Sequence, residues 1–91
     1  SLAEECKIER GSTINKSILF EEVEVGENTV IEDCVIDKET RVGEGCCLSG
    51  NSIIGYGVTV GDQVRVDNDS KIWPRTHIED GSIIVRKKIT S

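Results

Sequence analysis

Aliphatic side chains recur along this chain with a period of six residues. From Ile36 to Ile84 every sixth position is isoleucine, leucine or valine, and a small or β-branched residue lies two positions before each of them. Each triplet alternates inward, outward, inward, which is the side-chain alternation of a short β-strand. A six-residue period fits neither an α-helix nor a hairpin sheet, but it is typical of parallel β-helices. The pattern therefore predicts an all-β chain of hexapeptide repeats without helices.

Three hexads combine into one coil of a stacked helix. Corresponding strands follow positions 16, 33, 51 and 69, which are 17, 18 and 18 residues apart. Gly, Asn and Asp lie between the strands, and these residues tolerate the left-handed backbone of a sharp corner. We predict a single domain over residues 1–91, with a partial coil at 6–14 and full coils at 16–85, about four to five coils in all.

Two corners are one residue shorter than the others. Ile14 and Leu19 are five positions apart, as are Ile31 and Ile36, where the repeat would place six. Both corners follow the same strand of successive coils. We therefore expect the two shortened corners to stack on each other.

The outward positions predict one apolar face, and the aromatic residues fall beside it. The chain has one Phe, one Tyr, one Trp and one Pro, and all four follow strands of this face. Contiguous exposed apolar surface usually marks an interface, so we predict contact here with another subunit or domain. The simpler alternative is that the aromatic rings pack on one another and shield the corner. The predicted interface consists of Ile18, Phe20, Val35, Ile53, Tyr56, Trp73 and Pro74.

Composition narrows the classes of partner. The net charge is −6 and the basic residues cluster only at 86–88, which we interpret as a solvated end cap, so we expect no nucleic-acid partner. We find neither an apolar run long enough for a membrane span nor a signal peptide, and we expect no membrane partner. The four cysteines lack C-x-x-C spacing. We expect reduced thiols, with Cys34 and Cys46 packed inside, and a cytoplasmic location.

The sequence offers no constellation for catalysis. His77 is the sole histidine and occupies an outward position, so a zinc site with three imidazoles is excluded. A hexapeptide acyltransferase uses one histidine as general base, but we identify no loop excursion that would close over its substrates. We expect His77 to be a surface residue, and we predict no catalytic, cofactor-binding or metal-binding residue in this chain.

Two segments resemble a known family. The run VGENTVIEDCVI at 25–36, and KIWP at 71–74 followed by IEDG at 78–81, resemble the C-terminal hexapeptide domain of sugar-1-phosphate nucleotidyltransferases. The second segment is most similar to mannose-1-phosphate guanylyltransferases and related glucose-1-phosphate enzymes. Translation initiation factor subunits with the same two-domain plan are also similar.

The resemblance implies a left-handed winding and a role in assembly. In that family an N-terminal α/β domain binds the nucleotide and sugar phosphate with magnesium, so no catalytic residue carries over to this chain. The β-helix would dock on its own catalytic domain, join subunits into a homo-oligomer and in some members help place effector sites. The chain contains no methionine, and we expect it to be the C-terminal fragment of a longer enzyme.

The leading hypothesis is therefore a non-catalytic C-terminal oligomerisation or regulatory domain of a nucleotide-sugar pyrophosphorylase. Two alternatives stay open. One is a small hexapeptide-repeat acyltransferase with His77 in a cleft between subunits, and the other is a scaffold or assembly module.

Overall fold

Short β-strands joined by tight corners make up the secondary structure. A computed structural model describes residues 5–85 and the backbone of Lys88–Ile89. No helix able to span a bilayer occurs in this part of the chain. The predicted basic cluster at 86–88 lies outside the residues whose side chains are described. In chain order the strands are β1 (Lys7–Ile8), β2 (Thr13–Asn15), β3 (Ile18–Leu19), β4 (Glu24–Val25), β5 (Val30–Glu32), β6 (Val35–Ile36), β7 (Arg41–Val42), β8 (Cys47–Leu48), β9 (Ile53–Ile54), β10 (Thr59–Val60), β11 (Arg65–Asp67), β12 (Lys71–Ile72), β13 (His77–Ile78), β14 (Ile83–Val85) and β15 (Lys88–Ile89).

Every third strand pairs in parallel with its counterpart one coil away. Sheet A has the order β3-β6-β9-β12-β15, sheet B the order β1-β4-β7-β10-β13, and sheet C the order β2-β5-β8-β11-β14. Between β3 and β14 the chain passes through A, B and C four times, so it forms a β-solenoid of about four turns. The predicted all-β fold of stacked parallel coils is confirmed, while the left-handed winding stays a prediction.

The core consists of stacked rungs of aliphatic side chains. In sheet A, Leu19 pairs in register with Ile36, and Ile54 pairs with Ile36 and Ile72. The apolar core of the described residues contains Leu, Ile, Val and two cysteines but no aromatic ring. Burying one such side chain contributes about 1.5–3 kcal/mol, so the hexad period itself supplies the driving force for folding.

A second inward position ties neighbouring coils together through hydrogen bonds. The Thr29 hydroxyl donates to the carbonyl of Gly43 at 2.8 Å and accepts from the backbone N–H of Cys46 at 3.3 Å. One coil further on, the Cys46 thiol donates to the carbonyl of Gly61 at 3.0 Å. A small polar side chain at this position therefore satisfies backbone groups that the tight corners leave unpaired.

The corners between sheets C and A explain the two shortened repeats. Where the repeat is short, a single residue has a positive φ, namely 50° at Lys16 and 54° at Asp33. Where it is one residue longer, two successive residues do so, as at Asn68 (54°) and Asp69 (59°). The Asp33 N–H donates to the carbonyl of Asn15 at 3.1 Å, so the shortened corners stack as predicted.

Candidate interaction surface

The outward side of sheet A carries an apolar column. Ile18, Val35 and Ile53 occupy successive rungs in register, and Lys71 ends the column on the next strand. Ile18 is 46% exposed and Ile53 is 43% exposed, while Val35 between them is partly buried. The sequence predicted this column, and the strand pairing confirms which residues share it.

The predicted aromatic residues lie at the corner between sheets A and B. This corner, called here the AB corner, comprises residues 20–22, 37–39, 55–57 and 73–75 in successive coils. Phe20 and Trp73 are 40% and 47% exposed at the same position of the first and fourth coils. With a strand spacing of about 4.8 Å, they lie roughly 14 Å apart along the stack.

Two residues separate Phe20 from Trp73 along the AB corner. Asp37 and Gly55 occupy the position of Phe20 and Trp73 in the two middle coils, as the backbone hydrogen bonds from this corner to sheet A show. The four predicted residues therefore share one corner without forming a continuous stack. The sequence predicted Phe20 and Trp73 directly after their strands and Tyr56 and Pro74 one residue later, and these positions are confirmed. The expected single column of all four was wrong, because these residues alternate between two positions of the corner.

Gly55 is required because the next coil passes directly over it. A Cβ atom at this position would lie 2.8 Å from both the Ile72 carbonyl oxygen and the Pro74 nitrogen. The space between Gly55 and the Trp73–Pro74 segment is thus filled by the backbone of the next coil and the Pro74 ring.

Tyr56 lies between two cations that the sequence reading missed. The Lys38 Nζ is 5.9 Å and the Arg75 Cζ 5.7 Å from the centroid of the Tyr56 ring, within the range of cation–π attraction. The Tyr56 hydroxyl donates to Glu39 Oε1 at 3.4 Å. Reading the corner residues in register, rather than the strands alone, would have aligned Lys38 with Tyr56.

Sheet B presents an ordinary charged surface. Arg41 Nε lies 4.0 Å from Glu24 Oε1, and both side chains are largely exposed. His77 pairs with Thr59 on the same outward side and is exposed, as predicted for a surface histidine. Within residues 5–85, no group of three or more His, Cys, Asp or Glu side chains is placed to hold a metal ion.

The four cysteines are free thiols, and two of them belong to the core. Cys34 and Cys46 are buried, as the hexad pattern predicted. Burial raises the pKa of the Cys34 thiol to about 11 from an ordinary value of 9.0, and it raises the pKa of Cys46 as well. Both thiols are therefore protonated near neutral pH and act as small packing groups.

Sheet C carries exposed apolar residues that the predicted interface does not include. Val30 is 41% and Ile83 66% exposed, but Cys47 and Arg65 lie between them in the register of the sheet. Sheet A is thus the face on which apolar residues occupy three consecutive rungs and continue into an aromatic corner.

A solenoid of three parallel sheets with six-residue repeats defines the class of hexapeptide-repeat proteins. Within that class, residues 1–89 match the family described as GMPPB C-terminal domain, and the chain belongs to this family. This confirms the resemblance to the C-terminal hexapeptide domain of sugar-1-phosphate nucleotidyltransferases that the motifs at 25–36 and 71–81 predicted.

Curated relatives are bacterial proteins named bifunctional protein GlmU. The GlmU of Alkaliphilus metalliredigens is 40% identical over 87 residues, covering 90% of this chain and 19% of the relative. The GlmU of Thermoanaerobacter pseudethanolicus is 33% identical over 90 residues, covering 85% of this chain and 20% of the relative. That of Thermodesulfovibrio yellowstonii is 33% identical over 69 residues, covering 76% of this chain and 15% of the relative. The chain thus spans a fifth or less of the length of these relatives.

Solved structures share the fold at low identity. The acetyltransferase domain of PglB from Neisseria gonorrhoeae has a TM-score of 0.88 at 19% identity, covering 100% of this chain and 48% of that one. The H141N mutant of perosamine N-acetyltransferase from Caulobacter crescentus has a TM-score of 0.63 at 16% identity, covering 93% of this chain and 48% of the other. At these identities the likeness shows the fold alone.

Proposed function

We propose that this chain is the non-catalytic assembly and regulatory domain of a nucleotide-sugar pyrophosphorylase. It docks on its own N-terminal catalytic domain and joins subunits into a homo-oligomer, while magnesium and the reacting groups belong to the catalytic domain. Membership of the GMPPB C-terminal domain family and the GlmU relatives support this proposal. The four free thiols fit the reducing conditions of the cytoplasm.

The observation that carries the proposal is the apolar surface on sheet A and the AB corner. Ile18, Phe20, Ile53 and Trp73 are each 40–47% exposed on one side of the molecule. Removing apolar surface from water contributes about 25 cal/mol per Å², so covering these side chains favours association. A rigid solenoid holds them at fixed heights, which limits the conformational entropy that association removes.

The test is the mass of the chain in solution before and after this surface is made polar. We expect the wild-type chain to exceed the monomer mass of 10.0 kDa in multi-angle light scattering. Ile53→Asp combined with Trp73→Ser should return it to that mass with an unchanged circular dichroism spectrum. Ile83→Ser on sheet C removes an even more exposed apolar side chain, 66% exposed, and should leave the assembly intact.

Two results would count against the proposal. One is a wild-type chain that stays at 10.0 kDa over the whole accessible concentration range. The other is a folded double variant whose mass equals that of an assembled wild type.

A further inference from the structure

We propose that this surface pairs two copies of the chain in antiparallel orientation. Sheet A of one copy packs face to face on sheet A of the other. The two-fold axis lies in the plane between them, runs parallel to the strands, and passes between β6 and β9. The coil containing β3 of one copy then faces the coil containing β12 of the other. The inference rests on the proposed assembly role and specifies the partner and its orientation.

The middle of sheet A is self-complementary under this rotation. Val35 on β6 and Ile53 on β9 are paired neighbours, and the axis passes between them. Val35 of one copy therefore faces Ile53 of the second copy, and each contact occurs twice. Toward the ends, Ile18 faces the Lys71 side chain of the second copy, whose aliphatic stem can cover it while the ammonium group reaches water.

The charges along the AB corner reverse from one end of the stack to the other. Glu21 and Glu22 occupy this corner in the first coil, and both are exposed. Arg75 occupies it in the fourth coil, next to Lys71 on sheet A, and these two are exposed as well. An antiparallel partner brings the acidic end of one corner against the basic end of the other. Phe20 of one copy then also lies at the level of Trp73 of the second copy.

The corner on the other side of sheet A has the opposite charge gradient. Lys16 lies there in the first coil, and Asp69 lies there in the fourth, and both side chains are exposed. The same rotation places Lys16 of one copy opposite Asp69 of the second copy. Charge complementarity at both edges of one apolar face favours a second copy of this chain as the partner, because complementary potentials favour association.

The competing symmetric arrangement also pairs opposite charges at the outer coils, Glu22 with Lys16 and Arg75 with Asp69, so the corners alone do not choose between the two orientations. The choice rests on the middle of the face and on Lys71. A two-fold axis parallel to the solenoid keeps each coil at its own level, so Lys71 would face Lys71 of the second copy. It would also bring the corner that holds Asp37, Lys38 and Glu39, with one net negative charge, against the corner that holds Asp33 at the same level. Like charges opposed at an interface are unfavourable, and the antiparallel arrangement places Lys71 against Ile18 instead of against a second Lys71, so we infer that orientation.

A charge swap tests the orientation. Glu22→Arg and Arg75→Glu, made in separate chains, should each weaken self-association at least about tenfold, because each variant opposes like charges at two symmetric contacts. In an equimolar mixture the arginine introduced at position 22 faces the glutamate introduced at position 75, and the native Glu22 faces the native Arg75. We expect the mixture to form heterodimers within about threefold of wild-type affinity, at twice the monomer mass of 10.0 kDa.

Native mass spectrometry with one variant isotopically labelled separates heterodimers from homodimers. Glu27→Arg makes the same charge change at an exposed position outside the proposed surface and should leave the affinity unchanged. Assembly of the wild type without rescue in the mixture would overturn the antiparallel pairing and leave the assembly role standing. A wild-type chain that stays monomeric would overturn the assembly role itself.

Discussion

The inward and outward sides of sheet A differ in burial even where they carry the same residue type. Ile53 and Ile54 are adjacent and identical, yet Ile53 is 43% exposed and Ile54 is fully buried. The inward position is isoleucine or leucine in every coil because each rung must fill the same space above and below it. The outward position is free of that demand and changes to Lys71 at the fourth coil. Apolar residues on the inward side are therefore explained by packing in the core. Apolar residues on the outward side need another explanation, such as contact with a partner.

Alanine substitutions at this adjacent pair should give the largest difference in stability between the two sides of the sheet. Ile54→Ala should lower the free energy of unfolding by about 2–5 kcal/mol, because it opens a cavity between two rungs of the core. Ile53→Ala should lower it by less than about 1 kcal/mol, because the lost side chain is half in water. Urea denaturation followed by circular dichroism measures both values.

Both variants replace an isoleucine of the same strand with alanine. A difference between them therefore reports only whether the side chain points into the core or out of it. The measurement belongs at a concentration where the chain is monomeric, because covering Ile53 in an oligomer would increase its apparent contribution. Equal losses at the two positions would contradict the assignment of Ile53 to the outer surface.

A smaller difference in stability is expected between two buried threonines, one with a hydrogen-bonded hydroxyl and one without. The Thr29 hydroxyl bridges two backbone groups, whereas the buried Thr76 hydroxyl has no hydrogen-bond partner among the described residues. Thr29→Val should cost about 1–2 kcal/mol, because it leaves buried backbone groups unpaired. Thr76→Val should be neutral or stabilising, since it removes an unsatisfied hydroxyl from the core.

Valine is sterically acceptable at both inward positions, which makes the comparison a fair one. Val64 occupies the column of Thr29 and Val58 the column of Thr76, and both valines are buried. The two variants can be compared by thermal and urea unfolding under identical conditions. A loss at Thr76→Val as large as that at Thr29→Val would show that the hydroxyl at position 76 is satisfied in solution.

The hexad pattern predicted the strands, their register and the three outward faces, because each of these depends on alternation within a strand. It also predicted that the shortened corners stack. The contacts of Tyr56 with Lys38 and Arg75 could not be predicted in this way, since corner residues fall outside the alternation. Their side-chain directions depend on the left-handed turn at each corner, and several residue types besides glycine adopt it here.

Alkaline pH tests the smallest difference, between a thiol and a hydroxyl inside the core. Burial raises the pKa of Cys34 to about 11, above the ordinary value of 9.0 that the unfolded chain would have. The folded protein therefore keeps a proton that the unfolded chain loses, so this contribution to stability is complete below about pH 9 and is lost as the pH rises toward 11.

Cys34→Ser removes the titration and places at this position the residue that Ser17, Ser52 and Ser70 supply in the same column. We expect the melting temperature of the wild type to fall more steeply than that of Cys34→Ser between pH 9 and 11, by calorimetry under reducing conditions. All other side chains are the same in both proteins, so only the difference between the two slopes reports the Cys34 thiol. Parallel slopes would mean that Cys34 ionises in the folded protein as readily as in the unfolded chain.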